Sequence, residues 1–253
     1  MFTSAIVKTP CKNMVKGITT ANLGHPDYEL ALKQHKNYIQ VLEQCGLKVI
    51  VLKPDENFPD STFIEDTCLV TPRCAIITNP GAASRENETI SVGRTVKELG
   101  VQVEYIQNPG TLDAGDIMMV NDHYFTGISE RTNIDGASQL NNILKKYNLT
   151  SSTIKLEKIL HLKTGISYLE NNNLLAVGEF LTKPELKGFN ILEVDKEESY
   201  AANSVWINGN VLVPKESPET IKMIENAGYK VIEVGVSEFK KLDGGLSCLS
   251  LRF

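Results

Sequence analysis

The sequence has little of what a nucleic-acid-binding or membrane-bound protein requires. Its 26 lysine and arginine residues are outnumbered by 31 acidic residues, which gives a net charge of −5, whereas a nucleic-acid surface needs clustered basic side chains. No stretch approaches the ~18 apolar residues of a membrane-spanning helix. Residues 1–8 show no basic region followed by a long apolar run, so we expect no secretory signal. We therefore expect neither nucleic acid nor membrane as a partner.

Cysteine is also scarce, and its spacing is not that of a disulfide-bonded or zinc-binding protein. The five cysteines are odd in number and include no Cys-x-x-Cys pair. We therefore expect neither a disulfide framework nor a zinc clamp, and we expect the protein in a reducing cytoplasm. The acidic balance suits a small cationic substrate.

What the sequence does contain is a repeating unit, formed by a hairpin of two short apolar strands, a helix and a third strand. The turns of four such hairpins lie near residues 72, 121, 171 and 208, and a period of roughly 40–50 residues is typical of radial repeats. The Asn208-Gly209-Asn210 turn between apolar runs is the strongest hairpin signal of the four. The pattern predicts helices over about 27–45, 86–99, 134–147 and 217–227, and a short helix near residue 183.

A fifth unit would combine the two ends of the chain. Apolar and polar residues alternate over 249–253, which predicts a strand from Cys248 to Phe253. Pairing of this strand with residues 5–8 would close the ring and remove an exposed sheet edge. We therefore predict an α/β fold, a single domain over residues 1–253 built as a five-bladed propeller with pseudo-fivefold repeats. A doubly wound parallel sheet is the alternative, although it does not predict hairpins at regular spacing.

In a radial repeat, the polar residues that begin each inner strand converge on the central axis. Cys248 follows two glycines that allow tight backbone geometry and precedes an anchored strand, so we predict a nucleophile there. His161, taken alone, fits a capping or core-edge histidine as well as a catalytic one, but its place at the mouth of a blade favours catalysis. Together with nearby acids these residues supply a Cys–His–carboxylate arrangement. The converging set comprises Glu65, Asp66, Asp113, Asp116, His161, Asn203 and Cys248.

The acids of this set lie within apolar surroundings, where an unpaired charge is costly. A buried acidic cluster needs a cation, and no metal-ligand motif accompanies these residues. A guanidinium or ammonium substrate is therefore favoured over a metal ion, and we expect no cofactor. Arg85 and Arg131 each follow the outgoing strand of a hairpin and suit a clamp for a carboxylate, although an exposed arginine at a helix start is equally common.

Five motifs, taken together, resemble the dimethylarginine dimethylaminohydrolase family of the bacterial type. The resemblance runs the whole length of the chain and implies the five-bladed α/β propeller, or pentein, fold of the guanidine-modifying superfamily. The motifs are Phe58-Pro59-Asp60-Ser61-x-Phe63-x-Glu65-Asp66, Gly110-Thr111-x-Asp113-Ala114-Gly115-Asp116, Leu160-His161-Leu162-Lys163-Thr164-Gly165, Glu198-Ser199-Tyr200-Ala201-Ala202-Asn203 and Asp243-Gly244-Gly245-x-Ser247-Cys248-x-Ser250-Leu251-Arg252-Phe253.

The resemblance also implies an activity, the hydrolysis of methylated arginine to citrulline through a covalent amidino-cysteine. It implies Cys248 as the nucleophile, His161 as general acid and base, and Asp113 as the residue that orients His161 and binds the guanidino group. The bacterial family often has the longer Glu at this last position, which leaves the reach of Asp113 open. The implied substrate contacts are Asp66 with Glu65 for the guanidinium, Arg85 and Arg131 for the α-carboxylate, and Asp60 with the backbone oxygens of Ile18 and Leu242 for the α-amino group.

Two other functions compete with this one. The same chemistry could act on another guanidine, as in arginine deiminases or amidinotransferases, but arginine deiminases carry an added helical insertion for which this chain has no room. The five-bladed fold also serves ribosome-binding initiation factors, which have no reason to place a cysteine, a histidine and acids together on the axis. Association into a homodimer stays open.

Overall fold

The computed structural model describes residues 1–253, and these residues form five three-stranded sheets arranged as the blades of an α/β propeller. The strands are β1 (Ser4–Lys8), β2 (Lys48–Leu52), β3 (Cys68–Val70), β4 (Ala75–Ile77), β5 (Val103–Tyr105), β6 (Ile117–Val120), β7 (His123–Ile128), β8 (Thr150–Lys155), β9 (Ile166–Tyr168), β10 (Asn173–Ala176), β11 (Asn190–Glu193), β12 (Val205–Ile207), β13 (Asn210–Pro214), β14 (Lys230–Val234) and β15 (Leu251–Arg252). The α-helices are α1 (Tyr28–Gln44), α2 (Thr89–Glu98), α3 (Ile134–Lys146), α4 (Leu162–Gly165), α5 (Pro218–Asn226) and α6 (Ser237–Lys240).

Every sheet has the same pairing, in which a central strand is antiparallel to one neighbour and parallel to the other. In the second blade, for example, β4 pairs antiparallel with β3 and parallel with β5. Four of the antiparallel pairs are hairpins, and in the β6–β7 and β12–β13 turns Asn121 and Asn208 supply left-handed backbone with φ angles of 54° and 49°. The predicted repeat of hairpin, helix and strand is confirmed, including its five-bladed architecture.

The ring is closed by the two ends of the chain, as predicted. Strand β1 pairs antiparallel with β15, and Ile6 lies opposite Leu251. The predicted strand over 248–253 was too long, because Cys248 lies in a short 3-10 helix and only Leu251–Arg252 are paired. The alternation also breaks at Ser250, which is completely buried although polar; its hydroxyl is satisfied by a bond to the Tyr38 hydroxyl at 2.7 Å.

The largest of five apolar clusters supports the segment that carries Cys248. Helix α1 begins where the Asp27 side chain accepts a hydrogen bond from the Leu30 N–H. Its apolar face packs with residues of β1, β12, β13, β14 and α6, and Leu246 and Leu249 are fully buried in the same cluster. Burial of the residues on both sides of Cys248 fixes the backbone there. None of the helices combines the length and the apolar character that a bilayer span requires.

Candidate active site

Five short helical turns, which we call the inner turns, each precede the first strand of a hairpin or strand β15. They are Ile64–Thr67 before β3, Ala114–Asp116 before β6, α4 before β9, Lys196–Ala202 before β12 and Ser247–Leu249 before β15. In the order Ser247–Leu249, Ile64–Thr67, Ala114–Asp116, α4 and Lys196–Ala202, each inner turn contacts the next. Asn203 completes the circle, because its side chain bonds to the N–H and the hydroxyl of Ser247 at 2.9 and 3.1 Å. The predicted convergence of polar residues therefore occurs on a closed ring of turns.

His161 and Asp113 form a hydrogen-bonded pair within this ring. His161 occupies the position before α4, and its Nε2 lies 3.1 Å from Oδ2 of Asp113. Asp113 is completely buried, and its other oxygen accepts a hydrogen bond from the Gly81 N–H at 2.9 Å. The shorter aspartate thus reaches the histidine, which answers the question that the sequence left open.

Opposing effects act on the charge of His161. Burial disfavours the imidazolium, but the carboxylates of Asp66, Asp113 and Asp116 outweigh burial and raise the pKa of His161 to about 9. Burial also opposes ionisation of Asp113, and the bond to His161 overcomes it, so the pKa of Asp113 is lowered. At neutral pH the pair is therefore an imidazolium that donates to a carboxylate, and the histidine is ready to act as an acid.

Asp116 bonds to the segment that carries His161 and not to the His161 side chain itself. Its carboxylate accepts hydrogen bonds from the hydroxyls of Ser129 and Thr132 at 2.6 and 2.7 Å and from the Leu162 N–H at 2.9 Å. Burial still raises the pKa of Asp116. Since the bond from Leu162 fixes the first residue of α4, Asp116 helps to orient the neighbouring imidazole.

Asp66 lies beside the pair and is bonded from two directions. Its Oδ2 accepts a hydrogen bond from Nη1 of Arg85 at 2.6 Å, and its Oδ1 accepts one from the Gly115 N–H at 3.1 Å. A methyl group on Gly115 would lie 2.6 Å from Oδ1 of Asp66 and 3.3 Å from Nδ1 of His161. The absence of a side chain at Gly115 therefore allows the backbone to approach both groups.

The two arginines differ in their surroundings. Arg85 is buried, and it donates from Nε and Nη2 to Oε2 of Glu88 at 3.0 and 2.9 Å and from Nη2 to the Phe63 carbonyl at 2.9 Å. Nη1 carries two N–H groups, and Asp66 takes only one. Arg131 is less buried and lies 3.8 Å from Oδ2 of Asp113. Both guanidinium groups thus face the same acidic cluster.

Asp60, Ile18 and Leu242 also come together. The Asp60 carboxylate is buried and accepts a hydrogen bond from the Ile18 N–H at 2.9 Å. A methyl group on Gly17 would meet Oδ1 of Asp60 at 2.7 Å and Cδ1 of Leu242 at 3.3 Å. Burial raises the pKa of Asp60, although Arg85 works against this. The Asp60 carboxylate thus lies against the backbone at Ile18 and near Leu242, and the Asp60 carbonyl accepts a hydrogen bond from Nη2 of Arg85 at 3.4 Å.

Cys248 is partly exposed as a residue, whereas the other four cysteines are buried, but its sulfur is shielded from solvent. Its Sγ accepts a hydrogen bond from the Gly245 N–H at 3.4 Å. Burial of the sulfur and the negative charges of Asp66 and Glu65 raise its pKa to about 12. Without substrate, the sulfur is therefore a neutral thiol.

Glu65 is paired with two cations that we did not anticipate. Its Oε1 lies 2.6 Å from Nζ of Lys163 and 3.0 Å from Nη2 of Arg252. Asp66, the next residue, pairs instead with Arg85. Lys163 and Arg252 both stand in the motifs quoted above, but in motifs other than that of Glu65, so no local signal in the sequence pairs them with it.

Asp66, Asp113 and His161 are also the residues that could hold a metal ion, since their ligand atoms all lie within 4.8 Å of one another. A metal would need the neutral imidazole as a ligand, whereas His161 is protonated at neutral pH because its pKa is raised to about 9. Each carboxylate oxygen that accepts one hydrogen bond keeps a free lone pair. The arrangement therefore suits a cation that brings its own N–H donors.

Known proteins are similar to this chain in fold and in sequence. A sequence profile described as N,N dimethylarginine dimethylhydrolase, eukaryotic, matches residues 24–249. The N(G),N(G)-dimethylarginine dimethylaminohydrolase of Pseudomonas aeruginosa is 54% identical over 100% of both chains. Two solved structures each cover 100% of both chains with a TM-score of 0.98 and 53% identity: a cysteine-to-serine variant of the Pseudomonas enzyme complexed with citrulline, and a histidine-to-glycine variant of a dimethylarginine dimethylaminohydrolase as an adduct with S-methyl-L-thiocitrulline. This chain therefore belongs to the dimethylarginine dimethylaminohydrolase family.

Proposed function

We propose that this protein hydrolyses Nω,Nω-dimethyl-L-arginine and Nω-methyl-L-arginine to L-citrulline and dimethylamine or methylamine. The observation that supports the proposal is the ring of inner turns, since a cysteine, an imidazolium–carboxylate pair and a second carboxylate all lie on it or directly beside it. The N(G),N(G)-dimethylarginine dimethylaminohydrolase of Pseudomonas aeruginosa is 54% identical along its whole length.

The substrate binds through its charges. The guanidinium donates hydrogen bonds to the free lone pairs of Asp66 and Asp113, which hold the positive charge next to the sulfur. Arg131 and the uncommitted N–H of Arg85 receive the α-carboxylate. Asp60 and the backbone oxygens of Ile18 and Leu242 receive the α-amino group.

Binding of the guanidinium also activates the nucleophile. The pKa of Cys248 is raised by burial and by the charges of Asp66 and Glu65, and a bound cation offsets those charges and favours the thiolate. The thiol proton is released to solvent, and the sulfur forms a bond to the guanidinium carbon. The substrate thus lowers the pKa of the group that attacks it.

His161 then acts first as an acid and afterwards as a base. The imidazolium gives its proton to the departing dimethylamine as the carbon–nitrogen bond breaks, which leaves a cationic amidino group on the sulfur. The neutral imidazole next takes a proton from water, and the hydroxide adds to the same carbon. The carbon–sulfur bond breaks, the hydroxyl proton is lost as the citrulline carbonyl forms, and the thiol is restored. Such acid–base assistance contributes about 10²–10⁴-fold to the rate.

Citrulline release from three substrates tests the proposal. Wild type and Cys248→Ser are incubated with dimethylarginine, methylarginine and arginine, and Cys45→Ala serves as control because Cys45 is buried at the end of α1. We expect the wild type and Cys45→Ala to release citrulline from both methylated substrates and Cys248→Ser to release none. Conversion of arginine alone would favour a deiminase. No conversion by the wild type, together with co-sedimentation with ribosomes, would favour a binding module.

A further inference from the structure

The guanidinium of Arg252 holds the backbone on both sides of Cys248. Arg252 lies in β15, and its Nη1 donates to the carbonyl oxygens of Ser247 and Ser250, each at 3.1 Å, and to the Ser250 hydroxyl at 2.9 Å. Ser247 directly precedes Cys248, and Ser250 follows it by two residues. One planar cation thus fixes two carbonyls that flank the sulfur-bearing residue.

The other end of the same guanidinium reaches the second blade. Nη2 of Arg252 donates to Oε1 of Glu65 at 3.0 Å, and the side chains of Arg252 and Glu65 are only 13% and 5% exposed. Bonds between charged groups of this kind are short and directional. The inner turn Ser247–Leu249, which we call the Cys248 turn, is therefore bonded through Arg252 to the inner turn Ile64–Thr67, which also carries Asp66.

We propose that Arg252 is a positioning residue for Cys248, which fixes the sulfur relative to Asp66 and offsets the negative charge of Glu65 beside it. The inference rests on the proposed function, in which Cys248 is the nucleophile. The side-chain hydrogen bonds of Arg252 go to Ser247, Ser250 and Glu65, and none goes to Cys248 or His161.

The charge of Glu65 gives this arrangement a measurable consequence. Glu65 is one of the groups that raise the pKa of Cys248, while Lys163 lowers it. Glu65 shares its Oε1 between Lys163 and Arg252, and its Oε2 has no hydrogen-bond partner. Loss of Arg252 leaves Lys163 as the single counter-ion, so the thiolate becomes harder to form.

The Cys248 turn keeps other anchors when Arg252 is replaced. The Tyr38 hydroxyl donates to the Leu246 carbonyl at 2.9 Å, and Asn203 bonds to Ser247. Leu249 stays buried in the core. We therefore expect variants of Arg252 to fold and to hold the sulfur less firmly.

The test compares Arg252→Gln and Arg252→Lys with Arg73→Gln. Arg73 is a matched control because it also donates to two backbone carbonyls, those of Tyr147 and Asn148, and to a carboxylate, that of Asp122, but in an exposed position. Alkylation of Cys248 by iodoacetamide is followed against pH without substrate, and the modified peptide is quantified by mass spectrometry. The four other cysteines are buried, so the fast reaction reports on Cys248. Kinetics with dimethylarginine give kcat and KM.

For Arg252→Gln we expect the alkylation profile to move up by about one pH unit, a tenfold lower rate at a fixed pH below the pKa. We expect kcat to fall about 10²-fold, the loss that a misplacement of about 1 Å can cause, with KM within about threefold of wild type because the substrate contacts are intact. Arg252→Lys keeps the charge but not the planar fork, so its alkylation profile stays close to wild type while kcat falls.

An unchanged alkylation profile and unchanged kcat in a folded Arg252→Gln would overturn the inference, and so would equal losses in Arg73→Gln. If Arg252→Gln does not fold, Arg252→Lys decides: wild-type kcat overturns the positioning role, and reduced kcat with wild-type KM supports it. If the wild type converts no methylarginine, the proposed function fails, while the alkylation profiles still decide whether Arg252 governs the sulfur.

Discussion

Substitution of Gly115 by alanine should disrupt the site by steric contact alone. The added methyl carbon would lie 2.6 Å from Oδ1 of Asp66, closer than carbon–oxygen van der Waals contact permits, and 3.3 Å from both Cγ and Nδ1 of His161. Asp66 is also held by Arg85 at 2.6 Å, so it can yield only by lengthening a hydrogen bond. Gly115 is not among the residues with positive φ, which means that alanine adds bulk without backbone strain.

The size of the effect follows from this geometry. Inserting a methyl group into a packed site costs about 1–3 kcal/mol, which for a chain of this length lowers Tm by roughly 2–12 °C. A shift of Asp66 or His161 by about 1 Å should lower kcat/KM for dimethylarginine by about 10²-fold. The activity loss should therefore far exceed what the stability loss explains.

Gly93 provides the matched control. It lies in α2, and a methyl group there would meet only Ile77, at 3.6 Å or more, which is ordinary contact. Gly93→Ala should keep full activity and gain about 0.5–1 kcal/mol from the higher helix propensity of alanine. The two variants are compared by thermal unfolding and by citrulline release. Activity of Gly115→Ala within twofold of wild type would refute the proposed contact between backbone, Asp66 and His161.

Three further predictions concern groups around the site. Glu88 orients the Arg85 guanidinium, and burial raises the pKa of Glu88 to about 7 although Arg85 opposes this. Glu88→Gln should therefore raise KM for dimethylarginine about tenfold and leave kcat nearly unchanged. Equal KM values for the variant and the wild type in steady-state assays would contradict this. The pKa of His161 is raised from 6.5 to about 9, so the stability that its charge contributes is complete below pH 6.5 and is lost as pH rises through 9. In urea titrations, the unfolding free energy of wild type minus that of His161→Gln should therefore fall by roughly 2–3 kcal/mol between pH 6 and 10. A difference that does not change with pH would argue against a charged histidine. Leu251→Ala, which empties a buried position where β15 closes the ring, should cost about 2–5 kcal/mol; a Tm within 2 °C of wild type would show that the closure contributes little.

The repeat and its closure were predictable because they depend on patterns within short segments. Alternating apolar residues mark the hairpins, and Asn121 and Asn208 occupy the left-handed positions of their turns. The start of strand β8 at Thr150 could not be read from the pattern, since Thr150, Ser151 and Ser152 are polar and give no apolar signal. The inner turns were also missed as helical turns, because three to seven residues are too few to show a helical period.

The sequence predicts which residues form the candidate site but not which charged side chains pair with one another. The positions of Cys248, His161 and Asp113 follow from the repeat, since equivalent places in the blades face one axis. The partners of Glu65 do not, because Lys163 and Arg252 come from other blades and are distant in sequence. For Arg85 the sequence left an exposed side chain and a carboxylate clamp open, and only the fold shows that it is buried.

The central claim is that Cys248 carries the substrate's amidino group during turnover. Wild type is mixed with dimethylarginine, quenched in acid within one turnover and digested, and the peptides are measured by mass spectrometry. We predict that the Cys248 peptide gains the mass of the substrate less that of dimethylamine, and that Cys248→Ser shows no such gain. Citrulline formation with an unmodified Cys248 peptide, or with the added mass on another residue, would contradict the account.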